Sequence, residues 1–333
     1  MGEVLVKNEY TTLCRSDLNT YCGKRQEKTP TILGHEVVGR IVAFGENHSR
    51  VDERGANLAL KDRISWAIYA SNPDEELSQR GIPQKASNLF KYGHEAITPD
   101  SNLHGGLSEF TILRQHTPIV KLAAHLPLPV AAIINCAGAT IAGAMRLAGD
   151  LKQKNILVSG AGMLGMVACA MSKTNGAAHL VAMDVNQERL EVASLYGATL
   201  GILADEMAAK TVIERFGKLN PFDVVIELSG VASAMEQSLQ MLAIGGTAVW
   251  AGATHPQRRL EINAEQIVRN LWKIKGLHNY NQHDLVSAVT FMEQHHTDFP
   301  FETMVHGGFT LDQVQTAFEY GLKANPFRTG INI

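Results

Sequence analysis

The feature that most constrains the fold is a short apolar strand that runs into a glycine-rich turn and then a helix. Residues 155–159 have an apolar centre, the run GAGMLG follows at 160–165, and a helical pattern continues from Met163 to Asn175. The first glycine of such a run allows a tight turn, the second lets the backbone approach a pyrophosphate, and the third lets helix and strand pack closely. The segment therefore predicts a dinucleotide-binding unit, and a plain glycine turn in a helix–sheet sandwich is the competing interpretation.

Asp184 lies at the end of the next predicted strand, 179–184, and a helix is predicted to follow at 187–196. A carboxylate at this position would accept hydrogen bonds from ribose hydroxyls and would repel a 2′-phosphate. The sequence therefore predicts NAD rather than NADP as the cofactor. The other interpretation of Asp184 is a simple helix cap.

The alternation of strands and helices continues beyond this unit. Residues 222–227 and 247–251 are predicted strands, with a helix at 232–242 between them. Such alternation predicts a parallel sheet with helices on both faces. Towards the end, Thr310 and Gln313 have capping-box spacing at a helix start, and a short strand is predicted at 329–333.

The first part of the chain has a different pattern, in which short strands such as 37–44 and 109–113 are separated by turn residues. The predicted fold class is therefore α/β, with a doubly wound parallel-sheet (Rossmann) cofactor domain at 137–279. A mostly antiparallel β catalytic domain is predicted to comprise residues 1–136 and 280–333.

Composition excludes several classes of partner. The formal net charge is −3 over 333 residues, which does not favour a polyanion, so no nucleic-acid partner is expected. The longest uncharged stretch, 122–145, is too weakly apolar for a spanning helix, so no membrane partner is expected. The chain has four cysteines and begins without a secretory pattern, which predicts a reducing, cytoplasmic environment.

Two short segments outside the predicted parallel sheet carry chemistry-bearing side chains, CRSD at 14–17 and GHEVVG at 34–39. Each is ordinary alone, because a lone cysteine or histidine is more often a packing residue than a ligand. In order along the chain with Cys136, Thr140 and the glycine run, they resemble the zinc-dependent medium-chain alcohol dehydrogenases. The resemblance covers nearly the whole chain.

The resemblance implies that Cys14, His35 and Cys136 bind one catalytic zinc ion, with Glu36 a possible fourth, transient ligand. Two thiolates and an imidazole are a known catalytic zinc set that leaves one position open for water or alcohol. In the best-studied site, zinc lowers the pKa of bound water to about 7, far below that of bulk water, and a comparable effect on an alcohol would prepare it for hydride transfer.

The resemblance also implies roles for neighbouring residues. Ser16 would relay the substrate proton, Asp17 would hold His35, and Ile68 would line the substrate pocket, although simple core packing is the other interpretation of Ile68. The candidate catalytic residues are Cys14, Ser16, His35 and Cys136. The candidate cofactor-binding residues are Arg15, Thr140, Gly160, Gly162, Met163, Leu164, Gly165, Asp184, Arg189, Ser229, Ala251 and Arg328, with Arg15 and Arg328 expected to face the pyrophosphate.

The sequence departs from the family at a second metal position. Many members hold a structural zinc with four cysteines, and the matching residues here are Asn72, Glu75, Ser78 and Ala86. Alanine cannot bind a metal, and asparagine and serine are poor zinc ligands. No structural zinc is therefore expected. Asn19 replaces a histidine that completes the family's proton relay, so the relay is expected to end in water.

Three further segments, GIPQK at 81–85, KYGHE at 91–95 and HGGLSE at 104–109, resemble a bacterial subgroup associated with phosphonate catabolism. This similarity implies a small alcohol or aldehyde that bears a phosphonate, and a polyol or amino alcohol is also compatible. The family resemblance further implies a homodimer or homotetramer.

Two other functions remain open from the sequence. A zinc-free medium-chain reductase would share the fold, but the joint presence of Cys14, His35 and Cys136 argues against it. A non-catalytic NAD-binding protein would also share the fold. A folded chain that binds NAD but no metal would favour this last interpretation.

Overall fold

The computed structural model describes residues 2–333. The chain divides into two compact units, the first formed by residues 2–139 with Asn279–Ile333 and the second by Thr140–His278. Each unit has its own sheet and its own buried apolar core.

The secondary structure consists of short strands and mostly short helices. The strands are β1 (Val4–Leu13), β2 (Glu36–Phe44), β3 (Arg63–Trp66), β4 (Tyr69–Ala70), β5 (Phe90–Lys91), β6 (Phe110–Leu113), β7 (Ile119–Lys121), β8 (Asn155–Ser159), β9 (His179–Asp184), β10 (Leu200–Leu203), β11 (Phe222–Glu227), β12 (Leu242–Trp250), β13 (Lys273–Gly276), β14 (Val305–Thr310) and β15 (Arg328–Asn332). The α-helices are α1 (Arg15–Tyr21), α2 (Glu76–Gln79), α3 (Leu128–Ala132), α4 (Ala139–Ala148), α5 (Met163–Thr174), α6 (Gln187–Leu195), α7 (Ala208–Phe216), α8 (Ala232–Gln240), α9 (Ala264–Asn270), α10 (Gln282–His295) and α11 (Val314–Ala324). Ile134–Gly138 forms a π-helical turn.

The first unit contains a seven-stranded sheet with the order β14-β15-β1-β2-β3-β7, and β6 pairs with β1 beside this path. All of its pairings are antiparallel except that of β14 with β15. In β1, Val4 and Val6 are buried whereas Lys7 is exposed, as expected for a strand with one face on a core. That core also contains the fully buried Ile64 and Trp66.

The second unit is a six-stranded sheet with the order β10-β9-β8-β11-β12-β13, in which every pairing is parallel. Counted from β8, this is the order 3-2-1-4-5-6 of a doubly wound dinucleotide-binding fold, and the strand order reverses between β8 and β11. The fold class predicted from the sequence, a Rossmann domain with a mostly antiparallel β domain, is confirmed.

Most predicted elements begin and end within one or two residues of the observed ones. One boundary was wrong: the helix predicted at 232–242 ends at Gln240, and β12 begins at Leu242 rather than at Thr247. Ile244 in this early part of β12 is 70% exposed, so no apolar alternation marks the strand there. The predicted capping box at Thr310 is present and leads into α11 through a short 3-10 turn.

No helix within residues 2–333 combines the length and apolar character needed to cross a membrane.

Candidate metal centre and cofactor site

Within residues 2–333, one group of side chains could supply three or more metal ligands from histidine, cysteine or a carboxylate. Cys14, His35, Glu36 and Cys136 offer ligand atoms that all lie within 4.8 Å of one another, and three of the four residues are buried. They come from distant parts of the chain: the end of β1, the start of β2 and the π-helical turn. Such turns occur frequently at functional sites.

Asp17 connects the first two of these segments. Its Oδ2 accepts a hydrogen bond from the Cys14 amide at 2.9 Å, and its Oδ1 accepts one from the Gly34 amide at 3.3 Å. The same Oδ1 lies 3.3 Å from His35 Nδ1, within ion-pair distance but without the alignment of a hydrogen bond. The buried carboxylate therefore sets the backbone of one ligand segment against the other and faces the imidazole ring.

Gly34, the residue before His35, occupies a position that only glycine fits. Its φ is +92°, in the left-handed region, and a Cβ there would lie 2.8 Å from the Leu107 amide nitrogen. Its carbonyl accepts a hydrogen bond from the Gly106 amide at 2.6 Å. The glycine in the GHE segment thus allows the close backbone approach that brings His35 into the cluster.

Glu36 forms a buried ion pair with Arg328. Both carboxylate oxygens accept from the guanidinium, at 2.6 and 2.8 Å, and Thr12 Oγ1 donates to Oε2 at 2.6 Å. Arg328 Nη2 also lies 3.7 Å from the Cys14 sulfur. Burial raises the pKa of Glu36, although Arg328 acts in the opposite direction. A positive charge therefore lies directly behind the cluster, beside its carboxylate and one of its thiols.

The two thiols differ in acidity. The hydrogen bond from Cys136, together with the charge of Arg328, holds the pKa of Cys14 well below its usual value, although burial opposes this. The same hydrogen bond raises the pKa of Cys136 well above its usual value, because its proton is shared with the Cys14 thiolate and the site is buried. The lowered pKa of Cys14 favours the thiolate, which is the form that binds a metal.

The donor set fits a zinc ion. Two thiols and an imidazole converge in a buried place, and one thiol is already biased towards the thiolate form that binds metal. Burial alone would lower the pKa of His35, but Asp17 and Cys14 together outweigh it and the net shift is well upward. A metal cation that took the place of this proton would meet the same attraction from Asp17 and the Cys14 thiolate.

Other residues predicted for the first unit lie around this cluster. Ser16 lies in the first turn of α1, two residues after Cys14, and is half-buried. Arg15 donates a hydrogen bond to Asn325. Arg328, predicted to face the cofactor pyrophosphate, donates to Glu36 in this structure, and its cofactor role stays a prediction. Ile68 is buried and its amide donates to Tyr280.

In the second unit, the glycine run forms the turn between β8 and α5. Gly160 has a φ of +100°, and a Cβ there would lie 2.7 Å from the Ser229 amide nitrogen. A Cβ on Gly165 would lie 2.1 Å from the Gly160 carbonyl oxygen, so this residue packs the helix against the turn. A Cβ on Gly162 would meet only the Arg189 side chain, at 3.9 Å. The geometry is that required for a backbone cradle at a helix N-terminus.

A cavity of about 450 Å³ lies beside this turn, and Gly160, Asp184 and Ser229 line it. Asp184 accepts hydrogen bonds from the Ala161 amide at 2.6 Å through Oδ2 and from the Asn186 amide at 2.9 Å through Oδ1. The carboxylate therefore ties the glycine turn to the start of α6. Of the remaining predicted cofactor residues of this unit, Met163 and Leu164 lie within the glycine run at the start of α5, and Arg189 in α6 faces Gly162. Thr140 lies in α4, and Ala251 follows β12.

Glu227, a residue that the sequence reasoning missed, shapes the other side of the turn. It is fully buried at the end of β11, and its carboxylate accepts from the Ser229 hydroxyl, the Ser229 amide at 2.9 Å and the Gly230 amide at 3.1 Å. Burial raises its pKa. The available signal was a glutamate directly after the apolar run Val224–Ile226 and close to a Ser-Gly turn.

The lobe at 69–95 contains the four positions where the family places cysteines. Glu75 accepts from the Leu77 amide at 3.0 Å, the Ser87 amide at 3.0 Å and the Ser87 hydroxyl at 2.9 Å, and Asn72 accepts from the Asp74 amide at 3.0 Å. Ser78 lies in α2, and Ala86 is buried. Hydrogen bonds to one carboxylate thus connect the start of α2 to the segment that follows Ala86.

Two family models match most of the sequence. Residues 1–124 match the alcohol dehydrogenase GroES-like domain, and residues 164–294 match the zinc-binding dehydrogenase domain. These two matches cover the segments that carry Cys14, His35, Glu36 and the end of the glycine run.

Individual relatives agree with these models. L-Threonine 3-dehydrogenase from Shewanella frigidimarina is 28% identical over 322 residues, covering 96% of this chain and 88% of that protein, and the enzyme of that name from Aeromonas salmonicida is 26% identical over the same length. An alcohol dehydrogenase structure from Thermotoga maritima superposes with a TM-score of 0.92 at 23% identity over 99% of this chain and 92% of that one, a likeness of fold. This chain is an oxidoreductase that belongs to the zinc-dependent medium-chain alcohol dehydrogenase family.

Proposed function

We propose that this protein is a zinc- and NAD-dependent alcohol dehydrogenase that transfers hydride between a small alcohol or carbonyl compound and the nicotinamide. The observation that carries the proposal is the convergence of Cys14, His35, Glu36 and Cys136 within 4.8 Å. A zinc-free reductase of the same fold has no use for a buried set of two thiols and an imidazole. The proposed ligands are Cys14, His35 and Cys136.

Zinc held by these residues supplies Lewis-acid chemistry, which lowers the pKa of a substrate hydroxyl or polarises a carbonyl. The chain's own residues do the rest. Asp17 orients His35 from behind, and Glu36 with Arg328 balances charge beside the thiolates. The Ser16 hydroxyl, two residues from Cys14 in the first turn of α1, takes the substrate proton and passes it to water, because Asn19 cannot titrate.

For the cofactor we propose NAD, which accepts the hydride. The turn at Gly160 and Gly162 would hold the pyrophosphate at the N-terminus of α5, and the adenosine would occupy the cavity lined by Asp184 and Ser229. Asp184 and two further acidic residues in that lining, Asp205 and Glu206, would repel the 2′-phosphate of NADP. A clear preference for NAD in activity assays is the expected result.

The substrate class is proposed on resemblance alone. The segments at 81–85, 91–95 and 104–109 favour a small alcohol or aldehyde that bears a phosphonate. The L-threonine 3-dehydrogenase relatives favour an amino alcohol instead. A screen should therefore include hydroxyalkyl phosphonates, L-threonine and simple polyols, each with NAD.

We also propose that the lobe at 69–95 binds no second zinc, since Glu75 is bonded to backbone amides and Ala86 has no donor atom.

A homodimer or homotetramer is proposed as well. Support for assembly comes from β13, which is the edge strand of its sheet, and from Val268 and Leu271 beside it, which are 72% and 67% exposed. Light scattering during gel filtration would measure the mass.

Metal content tests the core of the proposal. Protein purified without chelator is expected to hold about one zinc per chain, and Cys136→Ser is expected to lose it together with alcohol oxidation. Cys22→Ser is the matched control, because Cys22 is an exposed thiol outside the cluster. This control should keep both zinc and activity.

Other results would favour the competing functions. Correctly folded protein that binds NAD but holds no zinc would overturn the proposal. In that case, reduction of an activated double bond would indicate the zinc-free reductase, and inactivity on all substrates would indicate a non-catalytic NAD-binding protein. Two zinc ions per chain would refute only the proposal about the lobe.

A further inference from the structure

We propose that Asn135 and Tyr280 are positioning residues for the metal centre, which hold the His35 segment against the π-helical turn that carries Cys136. The inference rests on the zinc site of the proposed function and adds two residues that neither the family motifs nor the sequence analysis singled out. Both residues belong to the first unit, and neither supplies a metal ligand.

Asn135 directly precedes Cys136 and is fully buried. Its Nδ2 donates a hydrogen bond to the backbone carbonyl of His35 at 3.0 Å, across 100 residues of sequence. The bond ties the backbone of one proposed ligand to the neighbour of another. Asp17 makes the corresponding connection between the Cys14 and His35 segments. Two buried side chains thus connect all three ligand segments through their backbones.

Only the nitrogen of the Asn135 carboxamide forms a hydrogen bond among the described residues. Its Oδ1 has no hydrogen-bond partner among the described residues, although it is buried. An unpartnered buried amide oxygen is unfavourable, so the asparagine is not explained by packing alone. The bond from Nδ2 to the His35 carbonyl is the feature that an apolar residue cannot supply.

Tyr280 holds the same turn from the other side. It is fully buried, and its hydroxyl donates to the Asn135 carbonyl and accepts from the Ile68 amide at 3.1 Å. A π-helical turn departs from the regular α-helical ladder, so a carbonyl within it can bond a partner outside the helix. The Tyr280 hydroxyl is such a partner, and it fixes the backbone one residue before Cys136.

Loss of partners that orient metal ligands typically weakens metal affinity by 10–100-fold. We therefore expect Tyr280→Phe and Asn135→Leu each to raise the zinc dissociation constant about 10-fold or more. Cys14, His35 and Cys136 all remain in these variants, so zinc still binds but is released more readily. A purely structural role would lower the unfolding midpoint without a selective change in zinc affinity.

The experiment measures zinc affinity by competition with a chromogenic chelator, alongside the unfolding midpoint of zinc-free protein. Tyr92→Phe is the matched control: Tyr92 is a buried tyrosine of the same unit, and its hydroxyl bonds Thr117 at 2.6 Å and the Arg114 amide at 2.7 Å. We expect similar stability losses in Tyr280→Phe and Tyr92→Phe, but weakened zinc binding only in Tyr280→Phe.

Equal zinc affinity in wild type and Tyr280→Phe would overturn the inference, as would equal weakening in Tyr280→Phe and Tyr92→Phe. If Asn135→Leu does not fold, Tyr280→Phe alone decides. Failure of the proposed function has a separate signature, since wild-type protein would then bind no zinc in the same competition.

Discussion

The buried cluster at Cys14, His35 and Cys136 and the lobe at 69–95 occupy the two places where this family can carry zinc, and their chemistry differs. In the cluster, two thiols and an imidazole converge in a buried place, and the Asp17 carboxylate behind them fixes the backbone of two ligand segments. In the lobe, Glu75 is exposed enough to remain hydrated and accepts hydrogen bonds from Leu77 and Ser87.

This difference shows two ways in which separate chain segments can be held together, by metal ligands or by hydrogen bonds to one carboxylate. In a metal centre, the free-energy cost of burying several polar donors together is offset only when the metal binds. Loss of one contact that positions a donor therefore weakens metal binding by the whole set. A partly exposed carboxylate such as Glu75 needs only a few local hydrogen bonds, and water screens each of them. Changes in the cluster should therefore have large and coupled effects, and changes in the lobe small and local ones.

The largest expected effect comes from Arg328→Met. This change leaves the Glu36 carboxylate buried without its cation, which typically costs about 3–5 kcal/mol. The matched change in the lobe is Arg80→Met, whose ion pair with Glu76 is exposed at 3.5 Å and should contribute less than about 1 kcal/mol. Urea unfolding measures the free energy of unfolding of both variants. Equal losses in the two variants would contradict the difference between cluster and lobe.

Asp17→Asn should have the next largest effect. The amide keeps one oxygen for the Cys14 amide but removes the charge that faces His35, so zinc affinity is expected to fall about 10–100-fold. Asp52→Asn is the control. Asp52 is also a buried aspartate that accepts from backbone amides, those of Arg54 and Lys121, but it is not part of the cluster. Chelator competition measures both, and a similar loss in the control would refute a specific role.

Glu75→Gln tests the lobe and has a pH signature. Hydrogen bonds from the Ser87 amide and hydroxyl hold the pKa of Glu75 below its ordinary value of 4.5. A lowered pKa in the folded state means that ionised Glu75 stabilises the lobe above pH 4.5, and that this contribution is lost as the pH falls through the lowered value. The melting difference between wild type and Glu75→Gln should therefore be present at pH 7 and shrink in acid.

The neighbouring Glu76→Gln is the control for this series. The Glu76 carboxylate forms an exposed ion pair with Arg80, so its replacement should change the melting temperature little at any pH. A difference between wild type and Glu75→Gln that grows in acid would contradict the assigned role of the carboxylate.

The smallest expected effect is that of chelator on the lobe. Removal of zinc should lower the melting temperature of the protein but leave hydrogen exchange at the Leu77 and Ser87 amides unchanged, because Glu75 rather than a metal holds them. Mass spectrometry of peptides from the lobe and from residues 30–40 separates the two responses. Faster exchange in the lobe after chelation would indicate a metal there.

Much of the fold could be predicted because its determinants are local. The run GAGMLG, with a strand before it and Asp184 after the next strand, has the geometry that the mechanism of pyrophosphate binding requires. The start of β12 could not be predicted, since Ile244 is exposed and gives no apolar alternation. Strand order was likewise inaccessible, because pairing in a parallel sheet depends on contacts between distant segments.

The sequence by itself determined the residue types: two thiols, an imidazole and a glutamate at positions that resemble one family, and non-ligand side chains where that family has four further cysteines. Only the tertiary structure decided what surrounds them. It placed Arg328 on Glu36, Asp17 between two ligand segments, and Asn135 and Tyr280 around the third. The physical reason is that these contacts join residues up to 292 positions apart, where no local pattern can record which buried polar group partners which.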